Sequence, residues 1–232
     1  MQAATSPATA LDHLVVMADS LAQGVAWCEA TLGLTPAPGG AHALFGTHNR
    51  LLAIGSPAWP QAYLEIIAID PAAAPGPVRR RWFDMDDAAL QAAVRAQGPR
   101  LIHWVARVPD LAAATAAWAA QGLDAGERLA ASRMTPRGLL QWQIAVRADG
   151  RRPLDGCAPT LIEWGAVHPA DSLPASGVAL QSLALRHPQA AALQGALAAI
   201  GAPGIPVDAA AAPAIQARLA TPRGVVALDA GF

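Results

Sequence analysis

A strand–helix unit that recurs along the chain constrains its fold more than any other feature. Each copy is a short apolar strand, a turn, a helix and a glycine stop, and the three copies span residues 11–34, 101–123 and 180–201. Recurrence of one supersecondary unit predicts an architecture of repeated modules. His13 and His103 occupy the same point of the strand in the first two copies, and Ser182 takes that place in the third.

The first unit predicts a βαβββ module over residues 11–70. Residues 11–17 alternate and are rich in Val and Leu, which favours a strand. Asp19 and Ser20 provide a helix N-cap, and Gly33 provides a left-handed C-cap. Residues 35–43, with two prolines and two glycines, predict a loop, and the remaining strands are expected over residues 43–54 and 63–69.

The second unit repeats this plan over residues 100–169, after a linker at residues 71–99 that carries a helix near residues 86–97. Asp110 is expected to cap its helix and Gly122 to end it. Glu163, in TLIEWGAV, aligns with Glu65 in YLEIIAI.

The third unit, residues 170–232, repeats the strand and helix, and its TPRG at residues 221–224 matches residues 135–138. It lacks both the histidine and the glutamate, so we predict a truncated βαββ module that is not a site. It either caps an exposed sheet edge or makes a homodimer contact. The whole chain is therefore predicted to be α+β.

Composition narrows the class of protein and its partners. The chain has 232 residues and a net charge of −1, which gives no electrostatic case for nucleic acid or an anionic membrane. Residues 1–10 lack the pattern of a signal peptide and are predicted to be disordered. Cys28 and Cys157 are more consistent with free thiols in a reduced cytoplasm than with a disulfide, although the sequence alone leaves that pairing open.

Four residues at equivalent places in the two complete units are candidate metal ligands. A glutamate within an apolar strand is costly to bury unless it is paired or bound to a metal. If the two units pair, then His13, His103, Glu65 and Glu163 converge on one cleft, as a two-nitrogen, two-oxygen site for Zn, Ni, Mn, Fe(II) or Co. The alternatives are a buried His–Glu pair, a strand face that points to solvent, or a register in which Trp104 and Trp164 point inward.

Further side chains are candidates for substrate binding. His48 and Asn49 lie where a turn meets a strand, so they are expected to line the cleft, although turn chemistry alone would also explain the asparagine. Arg133 is expected to bind a substrate anion and Trp142 an apolar group. A surface arginine and a core tryptophan are the simpler interpretations.

With these motifs the chain resembles the glyoxalase-like domain proteins of the vicinal oxygen chelate superfamily. The matching segments are LDHLVV with its helix, GTHNRLLAIG, YLEIIAIDP, TPRGLLQW and LIEWGAVHP. The resemblance implies paired βαβββ modules in an open, cupped, mixed sheet, with metal ligands on the first and fourth strands of each module. It implies His13, Glu65, His103 and Glu163 as those ligands, with Glu65 and Glu163 also as catalytic bases. The extradiol dioxygenases of the superfamily imply His13, His103 and Glu163 instead.

Two classes of function follow from these expectations. One is an enzyme of lyase or isomerase type, in which a divalent metal holds two oxygens of a small substrate and a glutamate moves a proton. The other is a non-catalytic protein that binds a small molecule in the same cleft. An extradiol-type dioxygenase is a further alternative within the enzyme class.

Overall fold

The structure, a computed structural model, describes residues 8–73, 80–135, 138–202 and 204–231. Its fold is mixed α+β, with one large curled sheet and one smaller sheet. The first module consists of β1 (Ala10–Met17), α1 (Leu21–Leu32), β2 (Ala37–His42), β3 (Thr47–Ala53) and β4 (Tyr63–Ile69).

A linker helix, α2 (Ala88–Gln97), leads into the second module. That module consists of β5 (Arg100–Arg107), α3 (Leu111–Ala119), β6 (Glu127–Thr135), β7 (Gly138–Val146) and β8 (Thr160–Trp164). Short 3₁₀ turns at Pro153–Gly156 and Pro169–Ser172 flank β8.

The two modules share one eight-stranded sheet with the order β2-β3-β4-β1-β5-β8-β7-β6. In each module the first strand is parallel to the last, and β1 pairs with β5 in antiparallel fashion at the centre. This symmetry confirms the prediction of paired βαβββ modules. It also leaves β2 and β6 as the two edges of the sheet.

The edge strand β2 corrects the loop predicted over residues 35–43. Its sequence, APGGAH, carries a proline and two glycines, which are depleted in strands. Pairing with β3 overrides that weak propensity. Strand β6 is the equivalent edge in the second module, where the sequence analysis assigned no strand.

The C-terminal region differs from the predicted three-stranded βαββ unit. It consists of β9 (Ala179–His187), α4 (Ala190–Ala199), β10 (Val207–Ala209), β11 (Ala214–Thr221) and β12 (Gly224–Gly231). The four strands form one sheet. The order is β10-β9-β11-β12, so the parallel partner of β9 is the strand directly after the helix. In the first two modules the parallel partner is the last strand, so this region is not a third copy of their topology.

The N-termini of α1 and α3 and the C-terminus of α1 follow the expected capping residues, whereas α3 ends at Ala119, before the predicted Gly122. Ser20 accepts a hydrogen bond from the Gln23 amide, and Gly33 ends α1 at φ 80°. Asp110 caps α3 through the Ala113 amide. No helix in the part of the chain that the structure describes is long and apolar enough to cross a membrane.

Two hydrophobic cores cover the two faces of the large sheet. Along β1, Leu14 and Val16 join the core on the helix side, while Val15 and Met17 join the core on the opposite face, because side chains alternate along a strand. Trp118 of α3 donates a hydrogen bond to the Ala196 carbonyl of α4. The C-terminal unit is thereby attached on the helix side of the sheet, opposite its concave face.

The packing of α1 on β4 generates a stability prediction. A Cβ added at Gly24 would lie 2.4 Å from Cγ2 of Ile66, which is fully buried. We expect Gly24→Ala to lower the free energy of unfolding by about 1–3 kcal/mol, because the strand side chain has no room to move. Chemical denaturation measures the change.

Gly195→Ala in α4 is the matched control. There the added Cβ meets Oε1 of Gln121 at 3.1 Å, the end of a flexible side chain. Alanine also has the higher helix propensity, so this variant should be neutral or stabilising. Equal destabilisation of the two variants would contradict the packing argument.

Candidate functional site

A cavity opens on the concave face of the large sheet, between the two modules. It encloses about 450 Å³ of empty space, including its mouth. Strands β1, β3 and β4 of the first module line one side, and β6, β7 and β8 of the second module line the other. The linker adds Trp82 and Phe83. A cleft between two halves of a fold is a common place for a small-molecule site.

A β-bulge in β1 brings two neighbouring polar side chains together. Leu11 pairs with Ala106 and His13 with Val105, so Asp12 is an extra residue in β1. A bulge of this kind re-aims side chains, and the Asp12 carboxylate consequently bonds to the ring of the next residue. His13 Nδ1 lies 2.7 Å from Oδ1 of Asp12.

Asp12 is fully buried and accepts hydrogen bonds from three side chains. Besides His13, Nε1 of Trp164 and Nε2 of His168 lie 3.0 and 2.9 Å from Oδ2. Burial raises the pKa of Asp12, but the hydrogen bonds and the charges of His13 and His168 outweigh burial and lower this pKa well below its usual value. Asp12 is therefore a carboxylate that positions its three partners.

His13 presents its second ring nitrogen to Glu65. Because a carboxylate can only accept, Nδ1 of His13 carries a proton for Asp12, and Nε2 faces the cavity. Nε2 lies 3.6 Å from Oε2 of Glu65. The ring also stacks on Tyr63, with 4.5 Å between the ring centroids. Burial, with the negative charges of Asp12 and Glu65, raises the pKa of Tyr63 well above its usual value, so this phenol stays protonated.

Glu65 is held from its other side by β2 and β3. Nδ2 of Asn49 donates to Oε1 of Glu65 at 2.6 Å and lies 3.3 Å from Nε2 of His42. Oδ1 of Asn49 accepts from the Gly40 amide at 2.8 Å, which fixes the amide orientation. Burial lowers the pKa of His42 to about 4, although Glu65 opposes this effect. Near neutral pH a neutral His42 therefore lies beside an oriented carboxylate.

Aromatic rings form the walls of the cavity. Trp82 stacks between Phe45 and Phe83, with ring centroids 4.0 and 4.8 Å away. Trp142 and Trp164 of the second module lie 5.6 Å apart and line the other wall. Apart from the Glu65 end, the cavity is therefore mainly apolar.

Arg133 closes the cavity from the far edge of the sheet. It projects from β6 towards β2, and a Cβ on Gly40 would lie only 1.5 Å from its Nη1 atom. Nε and Nη1 of Arg133 are buried and have no hydrogen-bond partner among the described residues. The contact between strands at opposite edges shows how far the sheet is curled.

His103 does not reach the cavity. A second bulge, at Ile102 of β5, precedes it. Its Nδ1 lies 3.0 Å from the Gly156 carbonyl, and Nε2 accepts from the Thr160 amide at 3.1 Å. Phe83 covers the ring at a centroid distance of 5.1 Å. Burial, helped by the charge of Arg152, lowers the pKa of His103 well below its usual value, so this neutral ring is part of the core.

Glu163 lies on the opposite face of β8 from the cavity. Its Oε2 accepts a hydrogen bond from the Leu111 amide at 2.7 Å, at the N-terminus of α3, where the helix dipole favours a negative charge. Its neighbours Ile162 and Trp164 line the cavity instead. The inward position of Trp164 is the alternative register that the sequence left open.

The predicted four-residue metal centre is consequently not assembled. Only His13 and Glu65 meet, and the set His13, His103 and Glu163 implied by the dioxygenases is not brought together either. Within the described ranges, no group of three or more His, Cys, Asp or Glu side chains is arranged to hold a metal ion. The donor atoms of His103 and Glu163 are already bonded within the protein.

The substrate-binding candidates divide in a similar way. Asn49, Arg133 and Trp142 line the cavity. His48 faces the other side of β3, where its Nδ1 lies 3.8 Å from Oδ1 of Asp70.

Four residues at or behind the cavity were not predicted from the sequence, namely Asp12, His42, Tyr63 and His168. An acidic residue next to His13 in an apolar strand was the available signal for Asp12.

Comparison with known proteins is consistent with this architecture. A family model described as a glyoxalase-like domain matches residues 11–201. A search of curated proteins finds no match.

Solved structures are similar to this chain at low sequence identity. A hypothetical protein from Staphylococcus aureus is 12% identical, with a TM-score of 0.54 over 95% of this chain and 85% of that one. A methylmalonyl-CoA epimerase from Streptomyces coelicolor is 17% identical, with a TM-score of 0.43 over 70% of this chain and 99% of that one. The corresponding enzyme from Mycobacterium tuberculosis is 18% identical, with a TM-score of 0.38 over 71% and 91%.

Two buried histidines generate a prediction about the pH dependence of stability. The folded-state pKa values of His42 and His103 lie below the value of about 6.5 expected in the unfolded chain. The unfolded chain therefore binds more protons below this pH. Their contribution to stability is complete above about pH 6.5 and is lost as the pH falls towards the folded-state values.

We expect the free energy of unfolding to fall between about pH 7 and pH 5, by up to about 1.4 kcal/mol per pH unit for each histidine. Urea denaturation at a series of pH values measures this slope. His42→Gln and His103→Gln should each flatten it. A slope of the opposite sign, or one that neither variant changes, would contradict this assignment.

Proposed function

Since the chain belongs to the glyoxalase-like domain family of the vicinal oxygen chelate superfamily, we propose that it is an enzyme of lyase or isomerase type that moves a proton on a small molecule. The supporting observation is the pair formed by His13 and Glu65 inside the aromatic cavity, with 3.6 Å between Nε2 and Oε2. Both side chains are about 95% buried, so water does not screen the pair.

In this proposal Glu65 is the base and His13 is its acidic partner. Glu65 takes a proton from a carbon next to a carbonyl group, and negative charge develops on the carbonyl oxygen. His13 in its doubly protonated form donates to that oxygen through Nε2, while Asp12 keeps the ring in place. Glu65 then returns the proton to a carbon, which gives an isomer. In a lyase the same carbanion instead expels a leaving group with its electron pair.

Glu163 has a different role in this proposal from the catalytic role predicted from the sequence. Glu163 is bonded to the first turn of α3, so it stabilises that helix rather than touching the substrate. Its role as a catalytic base is therefore not carried into the proposal.

A divalent metal, which the family resemblance implies, stays a prediction. His13, His42 and Glu65 offer two imidazoles and a carboxylate, which are donors that Zn, Ni, Mn, Fe(II) and Co accept. As placed, Glu65 lies 3.6 and 3.9 Å from the two rings and is bonded to Asn49, so these donors would have to move to share an ion. The proton transfer between Glu65 and a carbon acid does not require that movement.

The partners follow from the position of the cavity. Both modules contribute walls from one chain, so a second copy is not needed to complete the site. We propose a small-molecule substrate and a cytoplasmic enzyme, in which Cys28 and Cys157 are buried free thiols. A homodimer is a prediction that nothing in this geometry requires.

A non-catalytic binding protein is the second candidate. This candidate is favoured because His103 and Glu163, two of the four predicted metal ligands, are bonded within the fold and do not face the cavity. The two candidates differ in one observable property, which is the exchange of a substrate carbon-bound proton with solvent.

Proton exchange tests the enzymatic proposal. The purified protein would be incubated in D₂O with a panel of 2-oxo acids, carbonyl thioesters, catechols and the methylglyoxal–glutathione adduct, and NMR would follow the loss of C–H signals. Glu65→Gln and His13→Ala should each slow exchange by about 10²-fold or more, because each removes a proton-transfer group.

Glu163→Gln is the matched control and should exchange at nearly the wild-type rate. Exchange at the wild-type rate in folded Glu65→Gln protein would overturn the assignment of the base. Binding without exchange across the panel would favour the binding protein. Oxidative ring opening of a catechol would instead indicate a dioxygenase.

Metal content forms a separate test of the cofactor prediction. If the purified protein contains a divalent metal, we expect His13→Ala combined with Glu65→Gln to lose it and Glu163→Gln to keep it, since only the first pair faces the cavity. Elemental analysis of the folded variants measures the stoichiometry. Retention of full metal in the double variant would exclude His13 and Glu65 as ligands.

A further inference from the structure

The guanidinium group of Arg133 borders the cavity, and part of its hydrogen-bonding capacity is unused within the described residues. Two of its nitrogens, Nε and Nη1, are buried without a hydrogen-bond partner among the described residues. A guanidinium group has five N–H donors and cannot be deprotonated, so burying unpaired donors is costly. An anionic ligand bound there would satisfy these donors.

Arg133 also marks the boundary between two spaces. It lines the inner cavity, and it lines an outer groove that encloses about 1150 Å³ of empty space, including open solvent. Leu51, Leu140 and Pro169 line both spaces as well. A molecule that extends from the groove into the cavity therefore passes the guanidinium group.

The outer groove is apolar along much of its length. Its walls include Pro38, Val167, Leu173 and Pro174, and Met134 next to Arg133 is 74% exposed there. An exposed methionine provides a flexible apolar surface that adapts to different chains. This groove suits a hydrocarbon segment more than a polar one.

Charge favours a monoanion. Arg133 is the one Lys or Arg side chain among the described residues that line the cavity and the groove, while Glu65 and Asp12 supply negative charge close by. A phosphate group, with nearly two negative charges, usually takes several cationic or amide donors. A planar carboxylate matches a single guanidinium fork.

We infer that the cleft takes an elongated carboxylate, with the acid group on Arg133, the reactive carbon at Glu65 and an apolar chain in the outer groove. Only the placement of the reactive carbon at Glu65 rests on the proposed function. The recognition of acid and chain stands on Arg133 and the groove, and it can be measured without turnover.

Equilibrium binding of simple probes tests this inference. Octanoate, butanoate, octanol and octyl phosphate would be titrated by calorimetry, with quenching of the cavity tryptophans as a second signal. We expect octanoate to bind about tenfold or more tightly than octanol, because only the acid pairs with Arg133. Octanoate should also bind about tenfold or more tightly than butanoate, because the longer chain fills the groove.

Variants separate the two parts of recognition. Arg133→Gln should abolish the preference of octanoate over octanol, and Met134→Ser should reduce the preference for the longer chain while leaving the acid preference in place. Arg128→Gln, an exposed arginine on the same strand, is the matched control and should bind as wild type.

Gly40→Ala is an independent variant with a conservative change. Its Cβ would occupy the position of Nη1 of Arg133, which is the end of a flexible side chain, so the guanidinium must move while the strand stays in place. It should mimic Arg133→Gln in binding. Thermal unfolding adds a second measurement, because loss of a purely structural arginine would not remove stabilisation by octanoate. Octanoate should raise the melting temperature of wild type but not of Arg133→Gln.

The outcomes distinguish this inference from the proposed function. Equal affinity for octanoate and octanol, or tighter binding of octyl phosphate, would overturn the carboxylate assignment. So would a lower melting temperature of ligand-free Arg133→Gln, since that would make the arginine a structural group. Exchange that depends on Glu65 could persist in each of these cases, and carboxylate binding could persist if exchange is absent.

Discussion

The buried carboxylate of Asp12 is the interaction on which the site depends. It lies on the first strand of the first module, and two of its three donors, Trp164 and His168, come from the end of the second module. An uncompensated carboxylate at this depth would be very costly, so the three donors must stay in place together. The same bonds that neutralise Asp12 therefore hold the two modules in register and fix the ring of His13.

The bulge at Asp12 explains why such a network can exist in a strand. In regular pairing, adjacent side chains point to opposite faces of the sheet, and Asp12 would be directed into the helix-side core. The extra residue changes that direction and places the carboxylate behind His13. Glu65 needs no such device, since its strand, β4, pairs regularly with β1 and β3.

Most of the fold and about half of the site could be predicted from the repeat. Apolar alternation and caps such as Ser20 and Asp110 are local signals, and they predicted the central strands and the helices. The edge strand β2 was not predictable in this way, because pairing rather than composition makes Pro38, Gly39 and Gly40 extended.

Equivalent sequence positions likewise did not ensure equivalent orientation of the side chains in the site. His103 follows a bulge just as His13 does, yet its ring bonds to Gly156 and Thr160 instead of facing the cavity. Glu163 faces the helix side, while Trp164 faces the cavity. A change of one residue in register reverses the face of a side chain, and sequence alignment does not reveal it.

The unequal side chains that the two modules present have a consequence for how a molecule would react in the cleft. A site built from two identical halves would offer a bound molecule two equivalent orientations, related by the pseudo-twofold axis. Here one half presents His13 and Glu65, and the other presents indole rings and Arg133. A ligand would have a single favoured orientation between these walls. Glu65 would then approach a carbon from one side only, so a proton removed or returned there would come from a single stereochemical face.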